Sequence, residues 1–285
     1  MSSVVENQEA RITIGDVYFD EQLADVFKKD DFVREVKIMS KEIDVYLGEN
    51  KSSSIYEFRI YSQRGVYEEY FKTHFPEKLE NFMENDMVFY HDERSGRNVI
   101  AKFMERTILD SDDSDVQAYL SKKGITFEEL ELQSRQNYRD NIYPTVAHEL
   151  THAHPFFKGI NYRDLGNKWA QEMVCVFIDQ KMWEKHFSGF GKMIRDRARK
   201  QAGSKDFYWE IMNDFREGDF QIEEWERLWY GFLEKEYGKR SLRDFWVALF
   251  ESEHRDDIER CFEIVFGGNL NGVIGSFQEE LRRKE

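Results

Sequence analysis

Along the first sixty residues apolar and polar positions alternate in short runs. Ala10–Phe19 (ARITIGDVYF), Val33–Met39 (VREVKIM), Glu42–Gly48 (EIDVYLG) and Ile55–Ser62 (IYEFRIYS) each repeat with a period near two, and the polar segments Lys28–Asp31 and Glu49–Ser54 punctuate them. Such runs predict half-buried strands. Helix is expected at Val66–Phe75 and, beyond Pro76, at Glu77–Asn85. Met87–Thr107 predicts a hairpin turning at Arg94–Arg97. Asp112–Ser114 can cap a helix that ends at Gly124.

From Thr126 onward the period changes to that of helix. The run to His154 stops before Pro155, and Pro144 is expected in the first turn of a new helix there. Phe156–Asp164 reads as a connector, and Asp164–Phe187 as a long amphipathic helix with Asp164 as its N-cap. Further helices are expected at Gly191–Lys200, Phe207–Phe215, Ile222–Gly238, Ser241–Phe250, Asp256–Gly268 and Leu270–Glu285. The predicted fold class is α+β. A mixed α/β lobe spans residues 1–155, and an all-helical lobe spans 156–285.

Composition narrows the function classes. A length of 285 residues suits one large domain or two lobes. With 24 Phe, 14 Tyr and 6 Trp, a disordered chain is excluded. The net charge of −15 repels phosphate backbones, so nucleic acid is not an expected partner. Cys175 and Cys261 sit in apolar contexts and read as buried free thiols. No apolar stretch reaches the roughly 18 residues of a membrane span, and the first thirty residues do not read as a signal peptide. A cytoplasmic location is the expectation. The acidic run Asp110–Asp115 is a weak calcium candidate, because hard cations want clustered carboxylates, but its spacing is not that of an EF-hand.

The chemistry concentrates at His148-Glu149-Leu150-Thr151-His152. Residues four apart lie above one another on a helix face, so both imidazoles can reach one metal ion. Glu149, about 100° round the helix, points to the ion's open side, where it can take a proton from water. Neutral imidazole suits zinc. The uncharged neighbours Thr145, Val146, Ala147, Leu150, Thr151 and Ala153 let the helix sit inside the protein. A catalytic zinc needs a third protein ligand. His154 faces away, Asp164 lies near the start of the next helix, and His186 lies at its far end. Glu172, two turns into that helix, would be carried back over the histidines by a helix hairpin, with Trp169, Met173 and Val176 packing the helix down.

His148-Glu149-x-x-His152 with Glu172 after a 19-residue spacer resembles the gluzincin metallopeptidases. The spacer is that of thermolysin-like enzymes. Trp169-Ala170-Gln171-Glu172 is closer to aminopeptidase N-like enzymes and to small peptidase MA-like domains. Trp229–Leu233, Lys235–Gly238 and Leu242–Phe245 resemble the tail of the latter. The resemblance spans roughly residues 56–285, with specificity only in the zinc motif. It implies a zincin-like fold and a zinc held by His148, His152 and Glu172. It also implies Glu149 as general base and proton donor, and an oxyanion stabilised by Tyr230 or, alternatively, His254. An edge strand that pairs with extended substrate is expected at Asn98–Met104.

Departures refine the expectation. Met173 stands where the small domains have Gly, and Val176 where thermolysin-like enzymes have an acidic residue, a role that falls to Asp179 or a backbone carbonyl. His154 replaces an apolar residue. No Gly-x-Met-Glu-Asn segment is present, which favours an endopeptidase over an aminopeptidase. The expected activity is zinc-dependent hydrolysis of peptide or protein substrates. The alternatives are an inactive peptidase-like scaffold that binds partners, and a non-peptidase metallohydrolase.

Overall fold

The computed structural model describes residues 12–49, 54–76, 86–92, 95–106, 108–158, 165–186, 190–202, 206–217, 224–251 and 257–283. The architecture is mixed α/β and mostly helical, with one four-stranded sheet. Two compact units emerge, residues 1–41 with 51–149 and residues 42–50 with 150–285. The expected helix at Glu77–Asn85 lies outside the described residues.

The first unit carries β1 (Thr13–Phe19), α1 (Lys29–Leu47), β2 (Ile55–Tyr61), α2 (Arg64–His74), β3 (Met87–Asp92), β4 (Arg97–Phe103), α3 (Ser114–Lys123) and α4 (Phe127–His152). Helices α1 and α4 each run on into the second unit. The strand order is β1-β2-β4-β3. Strand β2 is parallel to β1 and to β4, and β3 is antiparallel to β4, forming the expected hairpin.

Two expected strands are absent. Val33–Met39 and Glu42–Gly48, all but the final glycine, belong to the single helix α1, which ends at Leu47. Its buried apolar positions are Phe32, Val36, Met39, Ile43 and Leu47, spaced three or four apart on one helix face. Ile38 and Val45, which create the apparent alternation, are 37% and 60% exposed. A second correction concerns β4. Asn98–Met104 is not an edge, because β4 is hydrogen-bonded on both sides, and β1 and β3 are the edges. Pro144 lies inside α4 rather than at its start. It cannot donate to the carbonyl one turn back, while next to it the Thr145 hydroxyl donates to the Asn141 carbonyl at 2.6 Å.

Side chains alternate across the sheet. On one face Phe58 of β2 meets Phe32 of α1 edge-on at 5.6 Å, and Phe32 stacks on Tyr143 of α4 at 5.7 Å. On the other face Tyr61, Val88, Tyr90, Val99 and Ala101 pack with Tyr67 and Phe71 of α2. The pairing of β1 slips between Ile14 and Asp16. Gly15 sits at that slip, and a side chain there would meet Ile55 Cγ2 at 2.6 Å.

The second unit carries α5 (Leu165–His186), α6 (Phe190–Ala202), α7 (Phe207–Glu217), α8 (Glu224–Glu251), α9 (Ile258–Phe266) and α10 (Leu270–Arg282). Helix α5 is central. From Trp169 to Ile178 every residue is buried except Glu172. Trp169 packs on Phe215 of α7, Phe177 packs on Tyr230 and Trp246 of α8, and Phe207 stacks on Trp225 at 4.2 Å. Each such aromatic pair adds about 0.5–1.5 kcal/mol beyond the area it buries. Helix α8 breaks at Gly238 (φ 84°, ψ 158°), as the Tyr237-Gly238 stop predicts.

Candidate metal centre

The last turns of α4 hold the motif. Val146, Ala147, Leu150 and Thr151 are buried, while His148, Glu149 and His152 are half-buried. The apolar side chains anchor the helix, and the three polar groups keep access to solvent. The helix ends at His152, and the chain turns at once. His154, only 6% exposed, caps the short helical turn Pro155–Phe157. Its Nδ1 accepts from the Phe156 N–H at 3.1 Å, so Nε2 carries the proton and faces Asp44 Oδ1 at 3.2 Å. Both ring nitrogens are thereby engaged, and His154 fixes the exit of the chain from the motif helix.

On α5, Glu172 is the half-buried carboxylate within an otherwise buried stretch. A carboxylate placed there is costly unless partnered. Its Oε1 lies 3.4 Å from His152 Nε2. Glu172 thus comes beside His152, while the group of ligand atoms that all lie within 4.8 Å of one another consists of His148, His152 and Cys175 and does not include Glu172. Trp169, Met173 and Val176 are buried. Asp179 pairs with Arg227 at 3.8 Å.

One group was not anticipated. Cys175 and Cys261 are both buried and neither is in a disulfide, as expected. Yet the ring nitrogens of His148 and His152 and the Cys175 sulfur all lie within 4.8 Å of one another. The histidine spacing is set by α4 itself. Cys175 follows Glu172 by three residues, which places both on one face of α5. That spacing was the available signal. Two imidazoles and a thiol, with the Glu172 carboxylate beside one of the imidazoles, are donor types that zinc accepts.

Glu149 also has a charged neighbour. Lys102 of β4 is half-buried, and burial holds its ammonium below the ordinary lysine value. The charges of Asp86 and Glu149 oppose that shift.

Tyr230 requires a correction. It is 1% exposed, packed against Phe177 and Trp246, and its hydroxyl is buried without a hydrogen-bond partner. Burial raises its pKa well above that of an ordinary phenol. A phenol sealed in an aromatic core does not meet a substrate oxyanion. His254 and Asp164 lie outside the described residues.

The acidic run Asp110–Asp115 does turn work. Asp113 caps α3, accepting from the Asp115 and Val116 N–H groups, and Asp110 accepts from the Asp112 N–H at 2.9 Å. The one group of three or more metal-ligating side chains among the described residues is the histidine–cysteine group. No helix among them is long and apolar enough to cross a membrane. Compared with protein-family models, with curated proteins and with solved structures, the chain matches none.

Proposed function

We propose that the chain is a zinc-dependent metallopeptidase of zincin-like fold, acting as an endopeptidase on peptide or protein substrates. The observation that carries this reading is the 3.4 Å approach of Glu172 to His152, the Glu172 carboxylate being the half-buried group in the buried stretch Trp169–Ile178. His148, His152 and Glu172 are the proposed ligands. Zinc held there supplies Lewis acidity and makes water acidic enough to deprotonate near neutral pH. Glu149 takes the proton from the attacking water and delivers it to the leaving amine. Lys102 sets a positive charge opposite that base. Buried Leu150 and Thr151 hold the backbone between the two histidines in place.

One observation favours a second reading. The mutually close group is His148, His152 and Cys175, and a sulfur ligand there with Glu172 closing in beside His152 would leave no open position, which is the pattern of a structural site. The chain would then be a peptidase-like scaffold that binds partners. Cleavage of an unfolded protein separates the two. The peptidase reading expects hydrolysis that stops with a chelator, returns with zinc and is lost in Glu149→Gln. A scaffold gives no hydrolysis and binds its metal with or without Glu149.

A further inference from the structure

The first unit holds a cleft of about 480 Å³ between its sheet and α2. That volume suits a small ligand. One wall is α2. Val66, Glu69, Tyr70, Thr73 and His74 line the cleft at spacings of three and four, which is a single stripe of the helix. The neighbouring stripe, with Tyr67 and Phe71, is the one buried against the sheet. The other wall is the sheet itself. Tyr18 of edge strand β1 is paired with Arg59 of β2, and Tyr61 follows Arg59 on the same face. Phe58, on the alternate face, packs toward α1 and α4. The cleft therefore lies on the other side of the sheet from α4.

The cleft is aromatic, with hydrogen-bonding groups of both kinds. Arg59 is engaged in the wall, stacking on Tyr70 at 4.6 Å and facing Glu57 at 3.6 Å. Tyr70 stacks in turn on His74 at 4.4 Å, and its hydroxyl bonds that of Tyr90 at 3.0 Å. These planar groups hold one another in place. Three polar groups are left to meet a ligand. His74 Nδ1 donates to the Tyr70 carbonyl at 2.8 Å, so in the neutral ring Nε2 is an acceptor. Glu69 is exposed and accepts from the Thr73 hydroxyl at 3.4 Å, long for such a bond. Its carboxylate keeps further lone pairs. The Tyr18 hydroxyl has no hydrogen-bond partner among the described residues. A cationic ligand would meet Arg59 here, and an anionic one would meet Glu69.

We propose that this cleft binds an uncharged saccharide, in the form of a short oligosaccharide. A pyranose ring has apolar C–H faces and a rim of hydroxyls, and each hydroxyl both donates and accepts. The C–H face lies against the aromatic wall of Tyr18 and Tyr70. Ring hydroxyls donate to Glu69 and to His74 Nε2 and accept from the Tyr18 hydroxyl. Val66, 36% exposed, adds an apolar shoulder. The carboxylate in the cleft serves this ligand as an acceptor, and no free cation is needed. A proline-rich peptide matches the aromatic wall but brings few donors for the two acceptors. The proposal is independent of the metal centre.

The test is titration of the full chain, followed by saturation-transfer NMR, with maltotriose, cellotriose and chitotriose, and with a polyproline peptide and indole beside them. At least one of the three saccharides is expected to bind at millimolar concentration, with its ring C–H protons receiving saturation. Glu69→Ala and His74→Phe change exposed side chains, and the phenylalanine keeps a ring to stack on Tyr70. Each should weaken the saccharide about tenfold by removing an acceptor. Tyr18→Leu, with the circular dichroism of the wild type, should do the same by removing the ring. His152→Ala should bind as the wild type does. No binding of any of the three saccharides overturns the proposal. So does polyproline or indole bound as tightly as the best saccharide, or wild-type affinity in both Glu69→Ala and His74→Phe. Loss of binding in His152→Ala would place the sugar at the metal centre and overturn it equally, whatever the fate of the peptidase reading.

Discussion

His152 Nε2 stands 3.4 Å from Glu172 Oε1, although the two residues lie on different helices. Each sits among buried neighbours, so each is held by its helix rather than by a mobile loop. A metal ion bound there would be preorganised by the packing of the helices around it.

Tyr230→Phe is expected to leave the reaction intact. The substitution keeps the ring packed between Phe177 and Trp246 and removes a hydroxyl buried without a partner. Stability in urea should be unchanged or higher by about 1 kcal/mol, with peptide hydrolysis within about twofold of wild type. A hundredfold loss of kcat would restore Tyr230 to the chemistry.

Cys175→Ala separates the two donor sets. With Glu172 as third ligand, the variant keeps its zinc and its hydrolysis and loses about 1 kcal/mol of stability to the small cavity. Zinc lost together with the sulfur would make Cys175 the ligand instead.

Lys102→Met tests the buried ammonium. Burial lowers the lysine's folded-state pKa below the unfolded value. The unfolded chain therefore binds more protons at this group, and wild-type stability from it rises as pH climbs through the folded pKa toward 10.5. The methionine variant lacks this dependence. Its melting temperature should exceed that of the wild type near pH 7, and the gap should narrow toward pH 10, with hydrolysis falling at neutral pH as the charge opposite Glu149 is lost. A gap that widens with pH would contradict the assignment.

Gly238→Ala should destabilise the second unit. The backbone there, at φ 84° and ψ 158°, is a conformation that side chains rarely adopt. The expected cost is about 1–3 kcal/mol, read from urea unfolding. No loss would mean that α8 straightens without penalty.

Features governed by local spacing were legible in the sequence. The motif helix, α5 with Glu172, the Asp113 cap and the Gly238 break all follow from residues within a few positions of each other. What escaped depends on contacts distant in sequence. Ile38 and Val45 imitate a strand because only tertiary packing shows that they face outward. The place of β4 between β2 and β3 is decided by pairing across the sheet. Tyr230 carries a polar tip suited to chemistry, and only the aromatic packing around it shows that the tip is enclosed. Cys175 looked like a core thiol, which it is, and its nearness to both histidines depends on how α5 lies against the end of α4.

Elemental analysis of the purified protein, with His152→Ala beside the wild type, decides whether these donors hold a metal. About one zinc per chain is expected, absent from the variant. Protein purified without chelator that carries no metal and takes up none when zinc is added would contradict it.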